Sequence, residues 1–237
     1  MPDCYQINNN AQVIPNRSAI RTDLGLPNDG FVYCSFCTRY KFDPIMFNTW
    51  MKILKKVPNS VLWILGGNRT AERNLVREAE ASGVKSDRLV FAPKIPRDNH
   101  LSRLRLADLA LDTRIVNGAI TTSDALWSGV PVITLQGRHF ASRMSSSILN
   151  AAGLLNLVTH SLEDYEALAI RLADPSSELL ATRQKLVRNR LSIPLFDTAR
   201  FVRNLEYAFV KMREIYDSGQ SPRLIRVGEV REDTKLL

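Results

Sequence analysis

The sequence predicts an α/β fold built on a doubly wound parallel sheet, and three observations carry that prediction. Short apolar strands alternate with longer amphipathic stretches from residue 31 to about residue 138. The strands are near-continuous apolar runs such as Val61-Leu62-Trp63-Ile64-Leu65, the pattern of strands buried on both faces. The strand–helix order implies βαβ crossovers, which bring successive strands in parallel. With 237 residues the chain is long enough for one large domain of this kind, at roughly 150 residues for a typical domain.

Each element has a local reason. Phe31-Val32-Tyr33-Cys34-Ser35-Phe36 is rich in β-formers and follows the turn Pro27-Asn28-Asp29-Gly30, so it predicts the first strand. Phe47, Trp50, Met51 and Leu54 then share one helical face, with Lys52, Lys55 and Lys56 at the C-terminal end where cations suit the helix dipole. Pro58-Asn59 breaks that helix before the second strand at 61–65. A charged helix over 71–81 ends at Gly83, and 88–92 is the third strand. A short helix over 98–105 leads to the fourth strand, Leu109-Ala110-Leu111-Asp112. Residues 122–128 form a helix stopped by Gly129, followed by a fifth strand over 130–134 with Pro131 tolerated near its start.

Beyond residue 138 the pattern is mainly helical, over 142–152, 162–173, 176–190 and 198–216, with a brief strand at Leu157-Val158. Asp197 is placed to cap the last helix. Residues 1–30 read as an approach segment without a core of its own, 31–217 as the lobe, and 218–237 as a mobile tail rich in Gly, Pro and mixed charge.

Composition narrows the function classes. The formal charge is +8, from 32 Lys and Arg against 24 Asp and Glu, but basic residues are interleaved with acids, as in Arg77-Glu78-Ala79-Glu80. No basic block, zinc-finger spacing or aromatic RNA-binding strand accompanies them, so nucleic acid is not the expected partner and the surplus suits a phosphorylated small molecule. No apolar run approaches the roughly 20 residues of a membrane span, and the first residues lack the basic and apolar parts of a secretory signal. Cys34 and Cys37 have no second pair of metal ligands beside them; with Cys4 they read as reduced thiols of a cytoplasmic protein.

Ligands of a doubly wound sheet bind outside the C-terminal strand ends, which directs attention to three loops. The first holds Thr38 and Lys41, the second Ile95 and Arg97 with His100 and Arg103 beyond, and the third runs from Asn117 to Asp124. In that third loop Gly118 permits a tight turn and Thr121, Thr122 and Ser123 open a helix, whose exposed N–H groups and dipole favour phosphate. Thr121 and Asp124 also have capping-box spacing, so a simple helix cap explains the same residues. Asp124, one turn inside, has the chemistry to accept hydrogen bonds from both ribose hydroxyls. Lys41 can place an ammonium against a leaving diphosphate, or it is a solvent-facing lysine ahead of the Asp43-Pro44 helix start. Arg97, His100 and Arg103 lie along one side of a short helix, able to line a base pocket or simply to face water, while His139 and His160 read as structural. The chain has no Asp-x-Asp, so no divalent metal is expected and cations with N–H groups must offset the diphosphate charge.

Read together, Tyr40-Lys41-Phe42-Asp43-Pro44, Val57-Pro58-Asn59-Ser60-Val61-Leu62-Trp63, Ala107-Asp108-Leu109-Ala110-Leu111-Asp112-Thr113 and Asn117-Gly118 leading to Asp124-Ala125-Leu126-Trp127 form an ordered set. With Phe140-Ala141-Ser142-Arg143 and Pro194-Leu195-Phe196-Asp197, that set resembles the C-terminal part of the protein O-GlcNAc transferase family, glycosyltransferase family 41, in its bacterial form. The resemblance implies the C-terminal Rossmann-like lobe of a GT-B glycosyltransferase with extra C-terminal helices. It implies inverting, metal-independent transfer of GlcNAc from UDP-GlcNAc to Ser or Thr of a protein acceptor. Lys41 matches the family's diphosphate-contacting lysine and Thr121 a diphosphate-binding threonine. Asp124 matches the ribose-binding carboxylate, and Ile95 (through its backbone), Arg97, His100 and Arg103 match positions around the uridine.

The chain departs from the family at Ala119-Ile120-Thr121, where His-Thr-Thr is common, so Thr122 and Ser123 are expected to supply hydroxyls instead. Thr38 stands where a larger polar side chain is frequent, and Arg97 where animal members have lysine. The family's other lobe and its tetratricopeptide superhelix do not correspond to any part of this sequence. The expectation is a donor half-site that works with a separate N-terminal lobe or repeat-containing chain and exposes apolar surface toward it. The alternative is a degenerate, non-catalytic nucleotide-binding or interaction module.

Overall fold

The computed structural model describes residues 1–15, 20–175 and 177–228. Among them, strands β1 (Phe31–Ser35), β2 (Ser60–Leu65), β3 (Leu89–Ala92), β4 (Leu109–Leu111), β5 (Val132–Leu135) and β6 (Val158–Thr159) form one sheet. Its order is β3-β2-β1-β4-β5-β6 and every neighbouring pair is parallel, as the βαβ alternation requires. The helices between and after the strands are α1 (Pro44–Lys56), α2 (Arg69–Ala81), α3 (Arg97–Leu104), α4 (Ile120–Trp127), α5 (Met144–Ala151), α6 (Leu162–Leu172), α7 (Leu179–Asn189) and α8 (Thr198–Asp217).

Helix α1 packs on α6, while α4 packs on α3, α5 and α7. Tyr33 of β1 reaches the first group, donating its hydroxyl to Ala169 O of α6 at 2.8 Å. Its neighbour Cys34 points to the other face, where the charges of Arg103 and Arg183 reach it. The first layer closes around Met46, Trp50 and Tyr165, all fully buried. Burying side chains of this size contributes about 1.5–3 kcal/mol each. Two polar tips of this layer are paired: Trp50 Nε1 donates to Tyr165 Oη at 3.4 Å, and Tyr165 donates onward to Asp112 O at 2.9 Å. On the opposite side Trp127 meets Phe196 edge-on at 4.8 Å.

Several boundaries move for identifiable reasons. Strand β5 begins at Val132 rather than 130, because Gly129 turns with φ at 80° and Val130 N–H closes α4 by donating to Ala125 O. Helix α7 begins at Leu179 rather than 176, because Ser177 folds back on α6, its N–H on Asp174 O and its hydroxyl on Leu172 O. Residues 140–142 form a 3-10 turn before α5. Asp197 caps α8 by accepting from Arg200 N–H at 2.9 Å, and Asp43 caps α1 through Ile45 and Met46 N–H.

Residues 1–15 lie along the C-terminal edge of the lobe and are fastened to its last elements. Asp3 pairs with Arg200 at 2.8 Å, Asn8 Nδ2 donates to Leu195 O, and Thr198 Oγ1 donates to Asn8 O. Cys4 is buried in the common core, with Tyr5 and Ile14 packed against it, so this segment shares the lobe's interior. At the other terminus, residues 220–228 carry no helix or strand; the rest of the expected tail, 229–237, and Ser176 lie outside the described residues. Phe209, Met212 and Tyr216 are exposed along α8, and Tyr40, Ile45 and Phe140 are exposed in the segments after β1 and β5. No helix among the described residues is long and apolar enough to cross a membrane.

Candidate functional site

Strand order reverses between β1 and β4, so the loops leaving these two strands diverge and open a crevice at their C-terminal ends. The β1 loop supplies a 3-10 turn over Arg39–Lys41, with Thr38 exposed at its start. The β4 loop runs from Asp112 to Ala119 and opens α4. The two segments are tied together: Lys41 Nζ donates to Asn117 O at 2.7 Å, Thr113 Oγ1 donates to Cys37 Sγ at 3.8 Å, Arg114 Nε donates to the Asp43 carboxylate at 2.9 Å, and Thr121 Oγ1 at the start of α4 lies 3.5 Å from Cys37 Sγ. Lys41 uses one of its three donors on that carbonyl. Arg39 also ties the turn down by donating to Gly66 O beyond β2.

The β4 loop is held by buried groups. Gly118 N–H donates to Asp112 Oδ1 at 2.6 Å, and Thr134 Oγ1 donates to Asp112 Oδ2 at 2.6 Å. Burial pushes the Asp112 carboxyl up, with those two bonds acting in the opposite direction. Asn117 Nδ2 donates to Thr113 O at 2.6 Å, and Ser145 Oγ donates to Gly118 O at 3.1 Å. A side chain at residue 118 would collide with the Thr121 and Thr122 hydroxyls, so only glycine fits there.

Helix α4 starts at Ile120, two residues earlier than its sequence pattern indicates, and no side chain caps it. The capping box expected from Thr121 and Asp124 does not form, because the Asp124 carboxylate is turned to Arg97. The free N–H end and dipole of α4 are therefore presented at the crevice. The expectation that Thr122 and Ser123 furnish hydroxyls is corrected by their placement. Thr122 Oγ1 is buried against Ser145 Oγ at 2.8 Å, and Ser123 Oγ accepts from Gln6 Nε2 at 3.0 Å. Of the three hydroxyls opening the helix, Thr121 stays beside the β1 loop, and the exposed position next to it is Ile120.

A second cluster lies where α3 and α4 approach. Arg97 Nη2 donates to Asp124 Oδ1 at 2.5 Å and to Gln12 Oε1 at 2.7 Å, with its Nε on the same Gln12 oxygen at 3.1 Å. The Asp124 carboxyl is pushed up to about 6, chiefly by burial, with Arg97 acting against it. His100 accepts at Nδ1 from Arg103 Nε at 3.0 Å, which leaves the ring proton on Nε2. Burial, then Arg103 and Arg97, bring His100 down to about 4, so the ring is neutral at ordinary pH. Arg103 itself is buried, its guanidinium over Phe36 at 4.9 Å and donating to Pro93 O at 2.7 Å. It reaches this cluster through His100 and does not line an open pocket. Ile95 is half-buried in the segment leading to α3.

A cleft of about 570 Å³ opens between the N-terminal segment at Gln6–Val13 and the residues Arg97, Asp98, Ile120 and Ser123. A larger depression, about 940 Å³, lies at the opposite edge of the sheet among residues 25–30, 58–61 and 83–88. Its one well-anchored cation, Arg88, is spent on the carbonyls of Leu54, Val57 and Ser60. Among the described residues no three His, Cys, Asp or Glu side chains converge in a way that could hold a metal ion.

The structure thus assembles Lys41 with Thr121 in one group, and Arg97, Asp124 and His100 in another. It adds three participants that sequence patterns did not single out: Asp112, Gln6 and Gln12. An aspartate closing an apolar strand six residues before a glycine was the available signal for Asp112. The two glutamines carried none, because the long-range contacts that place them link residues 85 and 117 positions apart.

Strand order and the likeness to a solved structure define the class, a Rossmann-like lobe of the GT-B glycosyltransferase type. The sequence pattern of glycosyl transferase family 41 matches residues 7–205, and the chain belongs to that family. It is 41% identical over 235 residues to a probable UDP-N-acetylglucosamine–peptide N-acetylglucosaminyltransferase, SEC, of Arabidopsis thaliana, covering 97% of this chain and 24% of that protein. A UDP-N-acetylglucosamine–peptide N-acetylglucosaminyltransferase of Caenorhabditis elegans is 35% identical over 208 residues, covering 87% of this chain and 18% of its own length. Among solved structures, an O-GlcNAc transferase variant of Thermobaculum terrenum superposes with a TM-score of 0.76 at 31% identity, over 83% of this chain and 39% of that one. The chain spans about a quarter or less of the two curated relatives' length.

Proposed function

We propose that this lobe binds the nucleotide-sugar donor of an inverting protein O-glycosyltransferase, with UDP-GlcNAc as donor and a Ser or Thr hydroxyl of a protein as acceptor. The observation that carries the reading is the contact of Lys41 with the loop that opens an uncapped helix, at the switch point of the sheet. In the proposed reaction the bond from the sugar's anomeric carbon to the diphosphate breaks while an acceptor hydroxyl attacks from the opposite face. The departing diphosphate gathers negative charge, which the Lys41 ammonium, the α4 N–H groups and Thr121 are set to stabilise. Asp124 accepts the ribose hydroxyls, sharing them with Arg97, and neutral His100 offers its ring and Nε2–H to the base. In this proposal the diphosphate charge is offset without a metal ion, and the acceptor side and general base come from a further lobe. The printed names of the curated relatives support UDP-GlcNAc and a peptide acceptor. A cytoplasmic location accompanies this reading, and the unpaired, buried Cys4, Cys34 and Cys37 suit it.

One observation favours a second reading, a nucleotide-binding module without catalysis. Ile120 is exposed at the mouth, and the hydroxyls of Thr122 and Ser123 are engaged by Ser145 and Gln6, which leaves few donors for the departing charge. Calorimetry of UDP and UDP-GlcNAc with the protein and with Lys41→Ala tests the donor site. Losing one charge-assisted contact should weaken UDP by about tenfold or more. Absence of UDP binding by the unsubstituted protein, or equal affinity after Lys41→Ala, would reject the proposal. UDP-GlcNAc bound but never consumed in the presence of the complementary lobe and an acceptor peptide would establish the second reading.

A further inference from the structure

Lys41 and Asp112 grip the two ends of one peptide group. Lys41 Nζ donates to the carbonyl of Asn117 at 2.7 Å, and the N–H of Gly118, which belongs to that same peptide, donates to Asp112 Oδ1 at 2.6 Å. The peptide dipole therefore lies between an ammonium on the crevice side and a carboxylate inside the protein. Each charge polarises the bond that the other makes, because hydrogen bonds in series strengthen one another. The carboxylate is buried, with its second oxygen held by Thr134 Oγ1 at 2.6 Å, so its direction is set by the core. Tyr165 fixes the Asp112 main chain from α6, and Ser145 takes the Gly118 carbonyl from α5.

Building on the donor-site reading, we infer that Asp112 is a positioning residue for the donor diphosphate: through the single peptide between Asn117 and Gly118 it orients Lys41 and the turn that opens α4. It touches no donor atom. Its effect is to fix where an ammonium and the first helical N–H groups stand before the diphosphate arrives, so that little reorganisation is needed on binding. Gly118 is the one residue type that lets this peptide lie so close to both threonine hydroxyls.

The test is a double-mutant cycle read on two ligands. Asp112→Asn keeps an oxygen for Gly118 N–H and removes the charge. It should weaken UDP by about tenfold while leaving uridine, which lacks the diphosphate, unchanged. Combined with Lys41→Ala it should add little further loss, because both substitutions break one chain of contacts. Equal losses for UDP and uridine, or full additivity with Lys41→Ala, would overturn the inference and leave Asp112 a general support of the fold. A ligand-free measurement separates this from failure of the donor-site reading: reductive methylation of Lys41, followed by mass spectrometry, should run several-fold faster in Asp112→Asn. An unchanged rate overturns the inference whether or not UDP binds. Should Asp112→Asn not fold, Thr134→Val, which frees the second carboxylate oxygen, should give a smaller loss confined to UDP; no such loss overturns the inference.

Discussion

Replacing Asp124 by Asn should make the protein more stable and a poorer binder. The Asp124 side chain is 7% exposed, and burial raises its carboxyl from 3.8 to about 6 despite Arg97. That displacement corresponds to about 3 kcal/mol against the charged form in the fold. The sign follows from proton counting. Between 3.8 and about 6 the folded protein holds more protons on this group than the unfolded chain, so stability falls as pH rises through that window. Below it both states are protonated and the cost disappears; above it the cost is complete. Asn removes the cost, and the weaker bond from the Arg97 guanidinium needs no separate subtraction, because the displacement to about 6 is already net of Arg97. The gain at neutral pH is then up to about 3 kcal/mol, a rise in melting temperature of roughly 6–12 °C for a chain of this size. Melting curves by circular dichroism across the acidic and neutral range check this directly. A lower melting temperature for Asp124→Asn at neutral pH, or a difference that does not shrink on acidification, would refute the assignment of burial as the dominant cause. In the same samples UDP should bind about tenfold more weakly, because the ribose hydroxyls lose a charged acceptor.

Other outcomes follow from the same geometry. UDP affinity should decline as pH falls through about 6, when Asp124 protonates, and show no separate histidine step, because His100 stays neutral down to about 4; titration calorimetry over that range reads both. Gly118→Ala should cost about 1–3 kcal/mol in urea unfolding, since the added methyl meets the Thr121 and Thr122 hydroxyls, and should abolish the diphosphate's share of UDP binding. Gln12→Ala removes both bonds that Arg97 makes to the N-terminal segment. These are exposed contacts worth under about 1 kcal/mol, so global stability should hold while amides of residues 5–13 exchange faster.

Much of this lobe is written in local pattern. The runs around Val32, Leu62 and Ile133 require burial on two faces, and the helical stretches between them leave a parallel sheet as the consistent arrangement. Asp43 and Asp197 could be read as helix caps because a cap is a contact between residues two or three positions apart. Lys41, Arg97, Thr121 and Asp124 could be picked out because loops after strands carry the ligand contacts of such sheets.

What local pattern could not supply is direction. Thr122 and Ser123 have the same donors as Thr121, yet helical rotation turns them into Ser145 and Gln6. Arg103 has the charge and spacing of a pocket residue, but stacking on Phe36 and Trp63 draws it inside. Residues 1–15 carry too few apolar side chains to announce a place, and only docking against Leu195, Thr198 and Arg200 lays them beside Arg97. Periodicity by itself therefore determined the sheet, its parallel sense and the end where chemistry gathers, because those depend on neighbours along the chain. The tertiary structure decided which donors face the crevice and that Asp112 stands behind Lys41, because a hydrogen bond between residues 76 positions apart exists only once the strands have assembled.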